Sequence, residues 1–129
     1  MNISLGRLIL LVKDYEEAFD FYSRVLNCHK IFDKTAENGQ RFLHIGFGDT
    51  SDTGLWLLKA ESDEQLRRVG NQTGGQPLLV LYTDHFEKSL EQLKREKVTI
   101  HKQPEEQDDF KFLHFLDLYG NEIVLVEMK

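Results

Sequence analysis

The segment Arg41-Phe42-Leu43-His44-Ile45 returns as Lys111-Phe112-Leu113-His114-Phe115, an offset of 111 − 41 = 70 residues in a chain of 129. A second echo, at an offset of 71, sets Glu16, Ala18, Phe19, Asp20 and Tyr22 against Glu87, Ser89, Leu90, Glu91 and Leu93. One unit used twice accounts for both, because a duplicated unit repeats its strands and its amphipathic helix in the same order. Each half must then build the same succession of elements.

That succession can be read along the chain. Leu5 to Val12 is an aliphatic strand interrupted by Gly6 and Arg7, and Asp14 stands where a helix N-cap belongs. The helix is expected to run to about Leu26, with Phe19, Tyr22, Val25 and Leu26 as its apolar stripe and Asn27 as its stop. His29 to Thr35, Gln40 to Phe47 and Gly54 to Leu58 read as three short strands, parted by Glu37-Asn38-Gly39 and by a polar turn from Gly48 to Thr53. Residues from about 61 to 76 form a polar linker with one short helix through Leu66. Then the order restarts: a strand from Pro77 to Tyr82, a helix from Asp84 to Lys97 with Phe86, Leu90 and Leu93 on one face, and strands over Val98 to Lys102, Phe110 to Leu116 and Glu122 to Glu127. The last two are joined by a turn in which Gly120-Asn121 is expected to supply positive φ angles.

Both halves are β-α-β-β-β. The fold class predicted is α+β: two tandem βαβββ modules, over about 3–60 and 77–128 of a single domain 1–129, forming a cup-shaped, partly closed mixed sheet with helices outside. A cup lined by alternate side chains from both modules is the default ligand site.

Composition narrows the partners. A formal charge of −6 and a pI near 5.3, with no Lys/Arg stripe, argue against nucleic-acid binding. No segment offers the roughly 20 apolar residues of a membrane helix, and no small-residue cleavage site follows the apolar stretch Ile3 to Val12. Cys28 is the one cysteine, which suits a reducing compartment and a role as small buried filler. The expectation is a cytoplasmic chain with no membrane partner.

Val12-Lys13-Asp14, followed by Ala18-Phe19-Asp20-Phe21-Tyr22 and Val25-Leu26, resembles the strand, Asp and "FY…VLG" helix of the vicinal oxygen chelate superfamily, which includes glyoxalases, bleomycin-resistance proteins and extradiol dioxygenases. Phe115-Leu116-Asp117-Leu118-Tyr119-Gly120-Asn121-Glu122-Ile123-Val124-Leu125 resembles its closing "F-x-D-P-D-G-N-x-I-E-L". The resemblance covers essentially the whole chain. It implies a homodimer, and in metal-using members four cup-facing His or Glu ligands, on the first and last strand of each module. Here those positions fall on Arg7, Leu78, Trp56 and Val124, none of them a standard ligand. Slipping the alignment by two residues would bring in only Gln76. No metal and no cofactor are therefore expected.

The candidate site residues are Arg7, Trp56, Tyr82, His44, His114, Leu78 and Val124. Arg7, a charge within an aliphatic strand, needs water, a carboxylate or an anionic ligand. Trp56 and Tyr82 fall on the cup face with Arg7 by the period of two, as a stacking wall or as core. His44 and His114 either meet a ligand as hydrogen-bonding or acid–base groups or are ordinary half-buried residues. Glu105-Glu106 and Asp108-Asp109, in an expected loop from Gln103 to Asp109, are solvated surface or a lid. His29, His85 and His101 are given no role. Three functions follow: metal-independent binding or sequestration of a small aromatic or anionic molecule; an enzyme (lyase, transferase or dioxygenase) with a non-standard metal or histidine-based site; or a structural or regulatory module whose cup is filled by its own side chains.

Overall fold

The computed structural model describes residues 1–49 and 52–129; Thr50 and Ser51, in the expected turn from Gly48 to Thr53, lie outside the described residues. The chain divides into two compact units, Met1–Arg67 and Arg68–Lys129, and the division falls inside the polar stretch expected as a linker.

The first unit contains β1 (Arg7–Val12), α1 (Tyr15–Leu26), β2 (His29–Thr35), β3 (Arg41–Gly46) and β4 (Gly54–Lys59). A short helix, α2 (Asp63–Arg68), leads out of it. The second contains β5 (Leu79–Tyr82), α3 (Phe86–Arg95), β6 (Ile100–Glu106), β7 (Phe110–Leu116) and β8 (Glu122–Met128). Eight strands thus make two mixed four-stranded sheets of equivalent order, β1-β4-β3-β2 and β5-β8-β7-β6, each opened by a strand parallel to its neighbour. The βαβββ repeat is what the sequence predicted.

Local chemistry sets the first helix. The Asp14 side chain accepts from the Glu17 backbone N–H at 2.9 Å, and Asn27 closes the helix in the left-handed region at φ 58°, a conformation Asn tolerates. Ala18, Phe21, Tyr22 and Val25 form the buried stripe. The expected stripe was one position off: Phe19 is half-exposed beneath the Lys30 ammonium, 5.1 Å from its ring centre, and Leu26 is half-buried. The buried stripe packs with Leu10 and Val12 of β1, Leu43 and Ile45 of β3, and Leu55 and Leu57 of β4, all nearly inaccessible. Each such side chain contributes about 1.5–3 kcal/mol by leaving water. In the second unit Phe86 and Leu93 of α3 belong with Leu113, Phe115, Ile123 and Leu125, while Leu90 is only half-buried.

Two further expectations are corrected. β6 extends to Glu106, so Glu105 and Glu106 are strand residues and not loop; Lys129 holds Glu106 at 2.7 Å. Gly120 has positive φ, 94°, but Asn121 does not: Asn121 is buried, 3% exposed, and hydrogen-bonded to Asp117. Cys28 is buried, and burial pushes its thiol up to about 12, which keeps it protonated and unreactive. No helix among the described residues is long and apolar enough to cross a membrane.

Candidate functional site

Strand alternation sends Leu10, Val12, Leu43, Ile45, Leu55 and Leu57 to the α1 side, and so puts Arg7, Ile9, Phe42, His44 and Trp56 on the face opposite α1. Register brings them together: His44 lies opposite Trp56 across β3 and β4, Ile9 opposite Trp56 across β1 and β4, and Phe32 opposite His44 across β2 and β3. The rings form a run, with His44 and Trp56 centroids 5.2 Å apart, Phe42 and Trp56 5.8 Å, and Phe32 and His44 5.4 Å.

Arg7 completes the cluster. Its Nε donates to His44 Nδ1 at 3.1 Å, and its Nη1 donates to the carbonyls of Gly6 at 2.8 Å and Asp52 at 3.5 Å. These partners are neutral. A nitrogen that accepts from a guanidinium carries no proton, so His44 is the tautomer with hydrogen on Nε2. Burial, and secondarily the charge of Arg7, hold the imidazole below its ordinary 6.5, which keeps it neutral. Nε2 of His44 and Nε1 of Trp56 are both buried and have no hydrogen-bond partner among the described residues. Each is an N–H donor without an acceptor, an arrangement that costs on the order of 1–3 kcal/mol per group.

The lowered His44 value has a consequence for stability. As pH falls below 6.5 the unfolded chain takes up a proton that the folded one still refuses, so the unfolded state gains. The contribution is whole above 6.5 and is lost progressively as pH falls from there toward the folded value. His44→Phe is expected to flatten this part of the stability profile, measured as urea midpoints against pH; an unchanged slope would assign the titration elsewhere.

The second unit repeats the scaffold with other chemistry. His114 lies opposite Val124, as His44 lies opposite Trp56. Phe112 and His114 centroids are 5.8 Å apart, and Phe110 and Phe112 5.6 Å. Leu78, at the position of Arg7, donates its backbone N–H to the Glu122 carbonyl at 2.7 Å. The partner of His114 Nδ1 is instead the Glu122 carboxylate. Tyr82 shares its strand face with Val80, and at 74% exposed it is no core residue of this unit. Of the seven candidates, Arg7, His44 and Trp56 are joined in the first unit, and His114 and Val124 are neighbours in the second.

Residues 4–125 match the sequence profile of the Glyoxalase/Bleomycin resistance protein/Dioxygenase superfamily. The chain belongs to that superfamily. An uncharacterized protein of Shewanella frigidimarina is 34% identical over 122 residues, which span 94% of this chain and 90% of that one. Among solved structures, UcmS2 superposes with a TM-score of 0.84 at 23% identity, covering 98% of both chains. TnmS3, an antibiotic-binding protein from Streptomyces sp. CB03234, superposes at 0.78 with 24% identity, over 100% of this chain and 99% of its own. These two likenesses establish the fold.

At the positions that the resemblance assigns to a divalent-metal centre, Arg7, Trp56, Leu78 and Val124, stand a guanidinium, an indole and two aliphatic groups, which offer no lone pair to a cation. Among the described residues no three His, Cys, Asp or Glu side chains are grouped so that they could hold a metal ion. Three contributors were not singled out in the sequence. Phe32 and Phe42 were hidden among ordinary strand aromatics, and Glu122 was absorbed into the closing motif, although the period of two places it on the same face as Val124. His85, given no role, N-caps α3 by accepting from the Lys88 N–H at 3.3 Å, at the position of Asp14 in the first unit.

Proposed function

We propose that the chain binds a small organic molecule, planar and bearing a carbonyl or carboxylate oxygen, on the face of the first unit opposite α1, and that it does so without a metal. The observation that carries this reading is the pair of buried donors, His44 Nε2–H and Trp56 Nε1–H, on adjacent stacked rings. An acceptor oxygen would satisfy them, the indole would stack on the plane, and Arg7 would add charge complementarity for an anion. That TnmS3, of the same fold, is an antibiotic-binding protein supports binding as the use of this scaffold. The enzymatic alternative has the His114 and Glu122 pair in its support, and the residues at the metal positions weigh against its metal-dependent form.

The chain has a single tryptophan, and it is at the site, so its emission reports occupancy directly. Titration with naphthoate is expected to quench Trp56 saturably, and naphthylamine, which offers no acceptor oxygen, is expected to bind at least roughly tenfold more weakly. Arg7→Ala and His44→Ala should each weaken naphthoate by a similar factor. Equal binding of both compounds, or unaltered affinity in both variants, would remove the reading.

A further inference from the structure

The two histidines of the repeat occupy equivalent places yet have opposite partners. His44 receives a hydrogen bond from the Arg7 guanidinium, whereas His114 faces the Glu122 carboxylate. A carboxylate only accepts, so the proton of a neutral His114 sits on Nδ1 and the lone pair on Nε2. Where His44 offers a donor at Nε2, His114 offers an acceptor.

We infer that the face of the second unit opposite α3 is a separate binding site for a weakly acidic hydroxyl, of the phenol or enol class, with His114 as its proton acceptor. The surroundings suit such a group. Phe112 stands beside the imidazole and offers its ring for stacking. The side chains of His114 and Glu122 are 18% and 19% exposed, open enough for a ligand and dry enough to strengthen the contact. Glu122 also borders a recess of about 200 Å³, walled by Gly75, Gln76, Leu116 and Asn121.

Other charged and titratable groups near the site are Lys102 and Glu105 of β6, opposite His114 and Phe112, Tyr82 of β5, and His101, which lines the recess beside Glu122. Lys102 holds its ammonium 5.3 Å from the Phe112 ring centre, where it favours an anionic oxygen. The step balances without a co-reactant. The O–H bond of the ligand breaks, its proton bonds to Nε2, the oxygen keeps the electron pair, and the Glu122 carboxylate neutralises the imidazolium. Glu122 acts through His114 and is a positioning residue.

The test uses para-nitrophenol, whose ionised form absorbs in the visible, added to the full chain at a pH below the phenol's own pKa. Protein is expected to raise the phenolate band saturably, and Glu122→Gln to weaken that response roughly tenfold. Para-nitroanisole, the same ring without the acidic proton, should bind weaker by a similar factor or more. Ring-nitrogen NMR of the isotope-labelled wild type reads the polarity without ligand: His114 should carry its proton on Nδ1 and His44 on Nε2. No phenolate band, equal binding of the anisole, or a His114 proton on Nε2 would each overturn the inference. Because one titration follows Trp56 emission and the other a phenol's colour, the two sites stand or fall separately.

Discussion

Asp117→Ala is expected to lower stability by about 3–5 kcal/mol and the melting temperature by roughly 10–20 °C. Asp117 is 5% exposed at the end of β7. Its Oδ1 accepts from the backbone N–H of Tyr119 at 3.0 Å and of Asn121 at 2.9 Å, and its Oδ2 from the Asn121 amide at 2.9 Å. Removing the carboxylate strands these donors, two of them in the interior, where each loses its acceptor and cannot recover water. The turn they tie is the one that carries the chain from β7 to β8 and so sets His114 opposite Val124 and brings Glu122 to His114. Asp117→Asn retains an oxygen for the two backbone donors while losing the contact to the Asn121 amide, so it should lose less than half as much. Urea unfolding of the three proteins measures this. Equal losses in both variants would mean that charge, and not the hydrogen-bond geometry, holds the turn.

What the sequence revealed follows the range of the interaction that fixes each feature. Asp14 and Asn27 were legible as helix ends because capping is settled by a residue and its near neighbours. The face of α1 was not, because Ala18, Phe19, Phe21 and Tyr22 admit two overlapping stripes, and only the sheet beneath chooses Phe21. β6 runs past its expected end at Lys102 and through Pro104, because the strand is at the sheet edge, with its register shifted between Lys102 and Glu105, and there a missing N–H is tolerated. The end of α3 carries no such signal: Lys97, at φ 59°, takes the left-handed conformation that Asn27 takes in the first unit. In the site, the repeat exposed both histidines. Their opposite polarity was invisible, since it depends on cross-strand register that brings Arg7 to His44 across 37 residues and Glu122 to His114 across a hairpin.

That divergence between the units has a steric origin at Gly54, and Gly54→Ala is expected to cost about 3 kcal/mol, or roughly 10 °C in melting temperature. A β-carbon there would lie 2.2 Å from the Ile45 carbonyl oxygen and 2.7 Å from Ile31 Cδ1. The side chain of Ile31 can rotate, but the Ile45 carbonyl belongs to the sheet and cannot retreat without breaking the pairing of β3 and β4. Gly6→Ala, where an added β-carbon meets nothing within 4 Å, is the control and should change stability by no more than about 0.5 kcal/mol. Gly54 pairs with Gly46 in the first unit as Glu122 pairs with Leu116 in the second. The first unit therefore has no room for the carboxylate that the second presents to its histidine, and with that place closed the side chain that reaches His44 is Arg7, from β1. If Gly54→Ala folded with unaltered stability, the carbonyl would be free to move, and the steric account of why one histidine donates and the other accepts would fail with it.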